Sequence, residues 1–518
     1  MRKARTWLSV TASIVALLAG TGCTINPVTG QRQLAIVSAE DEVAIGTQQY
    51  QPAQQMQGGE YVRDAALTRY VRDVGNRLAA VSDRALPYEF VVINSSVPNA
   101  WALPGGKIAV NRGLLVELQS EAELAAVLGH EIVHAAARHG AQAMQRGILL
   151  QGAVLIASAA TRDRDYSGVA VGAAGLGAQL INMRNGREAE LEADAYGMRY
   201  MSRAGYDPRA AIELQQTFVR LSQARDNGGW LAGLFASHPP SAERVAANQA
   251  TAATLPPTGT LGREAYQNAT TNLRRDVPGY EALDAASQAL RAGDLSLARR
   301  EANTALDRLR DEAQAEAILG DIEMAAEQPS RALGHYEQAL RLNDGFFYYH
   351  LAKADAHFTL GQMNDAETAY RASLTLLPTA DAHLGLGRIA ERRGDRATAV
   401  DQYGRAAESS GASGVEARRA LVRLDLPENP QRYLTLANTL DNAGRLVVRI
   451  ENGTEFEVGS IQLVVSYVGS DGRASVARRL LDGTLAAGAT RTHATSLGPF
   501  APGTAYDVSI ESVRVIEP

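Results

Sequence analysis

The sequence predicts a multidomain, mainly α-helical protein, with an α+β domain first, an α-helical repeat solenoid next and a small C-terminal β-sandwich. Its 518 residues exceed what one hydrophobic core supports. Small residues recur every 33 or 34 positions from Ala298 onward, and turn dipeptides separate short apolar runs beyond Leu426. The net charge of −6 gives no reason to expect a polyanionic partner, so we expect no nucleic acid to bind.

The first 23 residues are typical of a secretory signal. Arg2, Lys3 and Arg5 form a basic start, and the apolar stretch Trp7–Ala19 that follows is too short to span a bilayer. We therefore expect residues 1–23 to be a lipoprotein signal peptide.

Cys23, the only cysteine, ends this segment, where a bacterial lipoprotein signal places the residue that is cleaved and lipidated. Gly20 replaces the usual leucine of such signals, so ordinary signal-peptidase cleavage is the alternative. Thr24, by resemblance to Gram-negative lipoproteins, favours the outer membrane. We expect a periplasmic protein that a lipid on Cys23 anchors to that membrane, without an intrachain disulfide.

The α+β domain is expected over residues 24–251. Helical periodicity extends from Ala39 to Leu78, and strand-like runs follow at Tyr88–Asn94 and Trp101–Val110. The run Ser120-Glu121-Ala122-Glu123 has the pattern of a capping box, which predicts that a helix begins there.

Two further regions connect this domain to the repeats. The segments 147–160 and 167–181 are apolar and rich in glycine and alanine, and each is shorter than a membrane-spanning helix. We expect buried or interfacial helices there, with a membrane hairpin as the alternative. Proline and glycine in residues 252–278 predict a linker that contains one helix.

Residues 279–426 carry a repeat typical of tetratricopeptide (TPR) helix pairs, in which small residues allow close packing. Three columns of residues keep the same register. They are Ala298, Ala332, Ala366 and Ala399; Ala302, Tyr336, Tyr370 and Tyr403; and Ala305, Ala339, Ser373 and Ala406. The repeats predict a short superhelix with a groove for a protein partner.

The last region, residues 427–518, has the pattern of a small β-sandwich. Apolar or alternating runs are separated by the turns Asn452-Gly453, Asp471-Gly472 and Asp482-Gly483. Its one histidine, His493, is expected to be a surface residue.

The motif His-Glu-x-x-His at 130–134 carries the chemistry. On a helix, His130 and His134 point the same way and can bind one metal ion, while Glu131 can reach a metal-bound water. This is the pattern of metal-assisted hydrolysis. His139 is interpreted as a helix-end residue rather than a ligand.

A catalytic zinc needs a third protein ligand and an open position. The helix expected from Arg187 to Ala204 offers two acidic faces at i and i+4. Glu190 and Asp194 share one face, Glu188 and Glu192 the other, and spacing alone does not choose between them.

Four motifs carry a family resemblance: Asn99–Gly106, Glu123–His134, Arg187–Asp194 and Ser237–Arg244. Together they resemble the zinc peptidases related to HtpX and the CAAX prenyl proteases. With the TPR repeats and the lipoprotein-like start, the chain is most similar to the periplasmic β-barrel-assembly-enhancing group of that family. The resemblance covers roughly residues 24–250, and the repeats match only in kind.

The resemblance implies an α+β zincin metalloprotease domain with one zinc ion bound by His130, His134 and Glu190. It implies that Glu131 is the general base and acid, and that Asp194 orients a ligand histidine. His238 matches a histidine that either occupies the open position of a latent enzyme or stabilises the oxyanion.

The resemblance also implies an edge strand to which an extended peptide adds as a further strand. The residues are Gly106, Lys107, Ile108, Ala109 and Val110. Expected substrates are unfolded or misassembled envelope proteins, and the TPR partner could be the outer-membrane assembly machinery. The alternative is a chaperone-like TPR assembly adaptor with a latent, self-inhibited zinc site.

Overall fold

The computed structural model describes residues 22–146, 186–223, 238–468, 473–500 and 504–516. Two compact units emerge, Met1–Gln362 with Ala372–Leu377, and Met363–Arg371 with Pro378–Pro518. Most of the expected signal segment and both apolar segments between 147 and 181 lie outside the described residues. None of the described helices is both long enough and apolar enough to cross a bilayer.

The described residues of the first unit form two small sheets. The strands are β1 Gly22–Ile25, β2 Arg32–Ala35, β3 Glu89–Ile93, β4 Ala100–Leu103 and β5 Lys107–Asn111. An antiparallel pair is formed by β1 and β2. The other sheet has the order β3-β5-β4, with β5 parallel to β3 and antiparallel to β4.

Helices surround the second of these sheets and continue into the repeats. They are α1 Ala39–Met56, α2 Ala65–Ala79, α3 Arg112–Glu117, α4 Glu121–Ala136, α5 Arg187–Arg203, α6 Ala210–Gln223, α7 Ala242–Ala252, α8 Arg263–Arg291, α9 Leu295–Arg308, α10 Ala313–Ala325, α11 Pro329–Leu342 and α12 Phe347–Thr359. Residues 139–146 are also helical. The helical periodicity expected from Ala39 to Leu78 is divided between α1 and α2, because Gly58 and Gly59 have positive φ angles of 113° and 77°.

The segment 252–278, expected to be a linker that contains one helix, does contain a helix, and this helix packs into the core of the first unit. Residues from Arg263 onward form α8, and Tyr266 and Leu273 of this helix are fully buried in the core of the first unit. Tyr266 also donates a hydrogen bond to the carbonyl of Leu115. Pro278 lies inside the helix, and Gly279 lets Leu309 approach closely. Pro278, which indicated a linker, is therefore accommodated within a packed helix.

The repeat columns form the packed interior of the helix pairs. All members are buried: Ala298, Ala332, Ala366, Ala399, Ala302, Tyr336, Tyr370, Tyr403, Ala305, Ala339, Ser373 and Ala406. A Cβ on Gly320 would lie 2.4 Å from the ring of Tyr336, and one on Gly387 would lie 2.5 Å from that of Tyr403. Glycine at these positions therefore allows the tyrosines to pack on the neighbouring helix.

The second unit combines helices with two antiparallel sheets. Its elements are α14 Ala380–Arg392, α15 Arg396–Ala407, α16 Ala412–Asp425, β6 Leu434–Leu440, β7 Leu446–Asn452, β8 Glu457–Val468, β9 Ala474–Leu480, β10 Thr484–Leu485, β11 Thr490–Ala494 and β12 Tyr506–Ile516, while α13 Met363–Leu376 has residues in both units. One sheet has the order β11-β7-β6; in the other, β8 pairs with β9, β10 and β12. Inward residues of both sheets, such as Val448 and Leu463, share one apolar core, as expected of a sandwich.

Candidate metal centre

His130 and His134 lie on α4, which begins where the sequence predicts. Ser120 Oγ accepts a hydrogen bond from Glu123 N at 3.1 Å, whereas the Glu123 carboxylate accepts from Gln119 N at 2.6 Å. One half of the predicted capping box therefore forms. Every residue of α4 is buried, so both histidines project from an enclosed helix.

The crossing of α4 and α5 brings the acidic residues to the histidines. A Cβ on Gly197 would lie 3.1 Å from His130 N and 3.2 Å from Gly129 C. Glycines at this contact allow the two backbones to approach closely. As a result, Glu190 and Asp194 of α5 face His130 across the crossing.

Four side chains converge on one point: His130, His134, Glu190 and His238. The Nε2 atoms of His130 and His134 are 2.9 Å apart, and each lies 3.4 Å from one carboxylate oxygen of Glu190. His238 Nδ1 lies 3.2 Å from His130 Nε2 and 3.1 Å from both oxygens of Glu190. Each of the four residues offers one ligand atom, and these four atoms all lie within 4.8 Å of one another.

The geometry resolves the choice that spacing left open on α5. Glu190 is buried and directed at the two histidines, and Asp194 lies on the same face one turn later. Glu188 is exposed, and Glu192 is turned away toward a different partner.

Glu131 lies next to the converging ligands. Its side chain is buried, and Oε1 is 3.6 Å from Nε2 of His238. The ring of His238 therefore stands between the ligand atoms, which its Nδ1 faces, and the carboxylate of Glu131, which its Nε2 faces.

A buried ion pair holds His130 in place. Asp194 Oδ1 lies 2.9 Å from His130 Nδ1, and Arg244 donates to both oxygens of Asp194 at 2.7 Å. Arg244 also lies 3.1 Å from Glu190 Oε2. Burial alone would raise the pKa of Asp194, but the hydrogen bonds from Arg244 and His130 outweigh it and lower that pKa. Asp194 thus stays ionised, and its contact with His130 Nδ1 can orient that imidazole.

His134 has a corresponding support that sequence reasoning missed. His139 is buried, and its Nδ1 lies 2.8 Å from His134 Nδ1. Binding a metal through Nε2 places the proton of His134 on Nδ1, which can donate to His139. The remaining proton of His139 then lies on Nε2, 3.5 Å from Glu192, which also accepts from Asn26 at 3.0 Å. The position of His139 therefore allows it to orient the imidazole of His134, a contact that its interpretation as a helix-end residue did not anticipate.

A strained turn places His139 there. Arg138 adopts a positive φ of 68°, which ends α4 and directs the next helix back toward the site. Its guanidinium is buried, pairs with Glu42 and donates to the carbonyl of Val37 at 2.6 Å. Arg84 pairs with the other oxygen of Glu42 at 2.7 Å. These contacts, distant in sequence, stabilise the conformation.

The cluster is electrostatically asymmetric. Burial would lower the pKa of His130, but hydrogen bonds with Asp194 and Glu190 raise it to about 10. Burial and the neighbouring charge of His130 lower the pKa of His134. Burial would raise the pKa of Glu190, whereas the charge of His238 and hydrogen bonds from the histidines lower it strongly. At neutral pH, Glu190 is an anion and His134 is a neutral imidazole, the forms in which both residues bind metals.

The expected substrate strand needs a correction. Lys107, Ile108, Ala109 and Val110 belong to β5, which pairs on both sides and is the centre of its sheet. Gly106 lies in the preceding turn with a positive φ of 87°. Since both edges of β5 are already bonded, no peptide can add to it. The prediction of an edge strand at Gly106–Val110 is wrong.

The neighbouring strand β4 has an edge without a strand partner in the described sheet. Asn111 N donates to Asn99 O, so this residue pair of the antiparallel ladder is hydrogen-bonded. Every second residue of β4 is bonded to β5 in such a ladder, and the backbone N–H and C=O groups of Ala100 and Ala102 therefore point away from β5. Ala100 also lines the cavity that contains His130 and Glu131.

The donor set fits a zinc ion. Two neutral imidazoles and a carboxylate are the protein ligands of many catalytic zinc sites, and His238 supplies a further nitrogen at the fourth position. Both ligand histidines have partners on their other ring nitrogen, as zinc ligands usually do. Among the described residues, this is the cluster whose atoms could hold a metal.

Residues 65–252 match the model of peptidase family M48. The chain is 30% identical over 202 residues to the putative β-barrel assembly-enhancing protease of Vibrio cholerae, covering 38% of this chain and 41% of that protein. It is 32% identical over 199 residues to the β-barrel assembly-enhancing protease of Escherichia coli, a match that covers 33% of this chain and 38% of that protein. It is 32% identical over 225 residues to mitochondrial metalloendopeptidase OMA1 of Schizosaccharomyces pombe, a match that covers 42% of this chain and 63% of that protein. Each match spans less than two thirds of the relative.

Solved structures resemble the chain only weakly. The thermophilic TPR protein TTC0263 of Thermus thermophilus is 19% identical, with 31% of this chain and 90% of that chain covered and a TM-score of 0.26. For MamA the identity is 17%, the covered shares are 30% and 95%, and the TM-score is 0.24. Scores this low carry no argument about the fold.

Proposed function

We propose that this chain, whose residues 65–252 form a domain of peptidase family M48, is a zinc-dependent endopeptidase acting on misfolded or misassembled envelope proteins. The observation that carries the proposal is the convergence of His130, His134 and Glu190 beside the carboxylate of Glu131. The relatives named as β-barrel assembly-enhancing proteases support the substrate class.

His130, His134 and Glu190 would hold a zinc ion, which would supply a Lewis acid for the peptide carbonyl and the attacking water. Glu131 takes a proton from that water and delivers it to the leaving amine. Asp194 and His139 keep the two ligand imidazoles in the tautomer that leaves Nε2 free to bind. Burial of Glu131 and the ligands excludes bulk water from the reacting groups.

The substrate binds in an extended conformation along the edge of β4. The backbone groups of Ala100 and Ala102 that face away from β5 provide the hydrogen bonds, so recognition depends on backbone more than on side chains. The position of Ala100 in the cavity with Glu131 supports this placement, because it puts a bound peptide next to the general base.

With zinc bound, His238 would fill the remaining ligand position of the resting enzyme. The distances of 3.1 and 3.2 Å from its Nδ1 to Glu190 and His130 support this role over oxyanion stabilisation. Substrate entry then requires the imidazole to leave, so basal activity is low. We expect His238→Ala to raise basal proteolysis; a decrease would assign His238 to oxyanion stabilisation instead.

The other regions deliver the peptidase to its substrates. Residues 1–23 act as a lipoprotein signal peptide and Cys23 is lipidated, which anchors the chain to the periplasmic face of the outer membrane. Residues 279–426 form a TPR solenoid whose groove binds a protein partner, such as the outer-membrane assembly machinery. Cys23→Ser tests the anchor: membrane fractionation should show the variant released into the soluble periplasm.

Zinc analysis and casein cleavage by the purified chain test the activity. Wild type should contain one zinc ion per chain and cleave casein, whereas Glu131→Gln should retain the ion and lose cleavage. Glu188→Gln, an exposed glutamate of α5, is the matched control and should behave as wild type. Cleavage by Glu131→Gln would remove Glu131 from the mechanism. Full complementation of a deletion strain by that variant would favour the assembly adaptor.

A further inference from the structure

The hairpin of β1 and β2 presents an apolar face to solvent. Ile25 is 61% exposed and Leu34 is 40% exposed. In this antiparallel ladder Ile25 pairs with Arg32, and Cys23 pairs with Leu34. Directly opposite residues share a face of a ladder, as do residues two apart on one strand, so Ile25 and Leu34 lie on the same face. Neighbouring exposed apolar side chains of this kind indicate a contact surface.

The other face of the hairpin is fixed to the peptidase domain. Gln33 accepts a hydrogen bond from Gln142, and Ile36 N donates to Gln145 Oε1 at 3.1 Å. In the turn between the strands, Val28 is buried in the core of the first unit. The hairpin is therefore held in place with its apolar face directed outward.

The position of the hairpin in the chain identifies the partner of this face as a lipid bilayer. Cys23, the proposed site of lipidation, lies within β1, and by register its position belongs to the exposed face. Acyl chains attached there enter a bilayer beside Leu34, with no spacer residues in between. Arg32, on the same face, is the one charged residue of the segment 22–39, and its positive charge suits anionic lipid headgroups.

The hairpin is also connected to the metal centre. Asn26 Nδ2 donates to Glu192 Oε1 at 3.0 Å. The same oxygen lies 3.5 Å from His139, whose Nδ1 lies 2.8 Å from Nδ1 of His134. The three residues from Cys23 to Asn26 span roughly 10 Å of extended chain, so this path places His134 within about 30 Å of the lipidated residue.

We infer that the exposed face of the β1–β2 hairpin rests on a bilayer of anionic lipids and holds the metal centre close to the membrane surface. The inference rests on the proposed lipidation of Cys23 and deepens the proposed function. A long flexible tether would let an anchored peptidase domain reach substrates far from the membrane. The hairpin contact instead restricts cleavage to polypeptide segments that lie at the bilayer surface.

The test places a fluorescent probe on the hairpin of the acylated full chain. Acylation blocks the thiol of Cys23, the only cysteine, so Leu34→Cys supplies a single site for the dye NBD. The protein is reconstituted in vesicles of phosphatidylethanolamine and phosphatidylglycerol. Lipids with a nitroxide near the headgroup should lower the fluorescence by about half or more, because an interfacial apolar face lies roughly 5–10 Å into the headgroup region. Val62→Cys, at a 52% exposed apolar residue outside the hairpin, is the matched control and should keep its fluorescence.

A second variant tests the apolar face itself. Ile25→Asp, added to the labelled Leu34→Cys chain, introduces a carboxylate that anionic headgroups repel. Quenching should fall to the level of the Val62→Cys control, while the acyl chains still hold the protein on the vesicles. Zinc content and the circular dichroism spectrum should match those of the parent, because Ile25 lies on the exposed face of the hairpin.

Three outcomes separate this inference from the proposed function. An acylated chain whose Leu34 probe stays unquenched, or equal quenching at Val62, would overturn the membrane contact and leave the peptidase function intact. A chain without acyl groups on Cys23 by mass spectrometry would refute the proposed anchor and the hairpin contact with it. Absence of casein cleavage by both the zinc-loaded wild type and His238→Ala would refute the peptidase function, whereas quenching at Leu34 would still support the membrane contact.

Discussion

The pH dependence of zinc binding should report the proton on His130. Hydrogen bonds with Asp194 and Glu190 outweigh burial and raise the pKa of His130 to about 10 in the metal-free protein. A histidine binds zinc only as the neutral imidazole. Zinc must therefore displace this proton, and binding should strengthen as the pH rises.

The size of the effect follows from the distance between the pKa and the working pH. A solution at pH 7 is about three units below the pKa of His130. The proton on His130 should therefore reduce the apparent zinc affinity about 1000-fold, or about 4 kcal/mol. The pKa values of His134 and Glu190 are lowered, so neither adds a proton to displace. The affinity should rise about tenfold per pH unit between pH 7 and 9, with about one proton released from His130.

Competition titrations with a zinc chelator between pH 7 and 9 measure the slope, and calorimetry in buffers of different ionisation enthalpy counts the protons. Asp194→Asn removes an anionic partner of His130 and should therefore lower the pKa of that histidine. The zinc affinity of the variant should stop rising at a lower pH than that of the wild type, and its maximal value should be about 10- to 100-fold lower. Glu188→Gln, on the exposed face of α5, should change neither. A flat affinity profile for the wild type would refute the reasoning.

Three further substitutions test other parts of the site. His139→Phe removes the acceptor for His134 Nδ1 and should weaken zinc binding about 10- to 100-fold with an unchanged circular dichroism spectrum; full affinity would contradict the orienting role. Gly197→Val places side-chain atoms against the backbone of His130. Denaturant unfolding should show a free energy of unfolding lowered by about 1–3 kcal/mol, and zinc should bind more weakly. Wild-type stability would show that α4 and α5 are not tightly packed where they cross. Arg244→Met removes the partner of Asp194 and should weaken zinc binding, whereas Arg187→Met, which breaks an exposed ion pair, should not; equal effects would contradict the assignment.

Local patterns predicted the elements well. The small residues and tyrosines of the repeat columns are buried because their spacing matches one face of each helix, and that property depends on local periodicity alone. The helix that carries His130 and His134 is capped at Ser120 for the same kind of reason, since its cap involves residues three positions apart.

Relations between elements were predicted less well. The family resemblance implied that β5 is an edge strand, but the chain places it between β3 and β4, and strand order is not encoded within the strand. Pro278 indicates a linker locally, yet it lies inside α8, where its neighbour Gly279 allows a close contact with Leu309. In both cases the deciding partner lies elsewhere in the chain.

Two helical histidines and a neighbouring glutamate predicted a metal site from the sequence alone, because the i, i+4 spacing of the histidines puts them on one helix face. It also limited the third ligand to the acidic residues of α5. Only the tertiary structure decided the rest. The contact between Gly129 and Gly197 sets how α5 lies on α4, and this selects Glu190 over Glu188 and Glu192. The positive φ of Arg138 turns His139 back onto His134, a relation that no helical period predicts. Ligand geometry needs atoms from several elements within a few ångströms, and such distances depend on packing between elements more than on the pattern within any one of them.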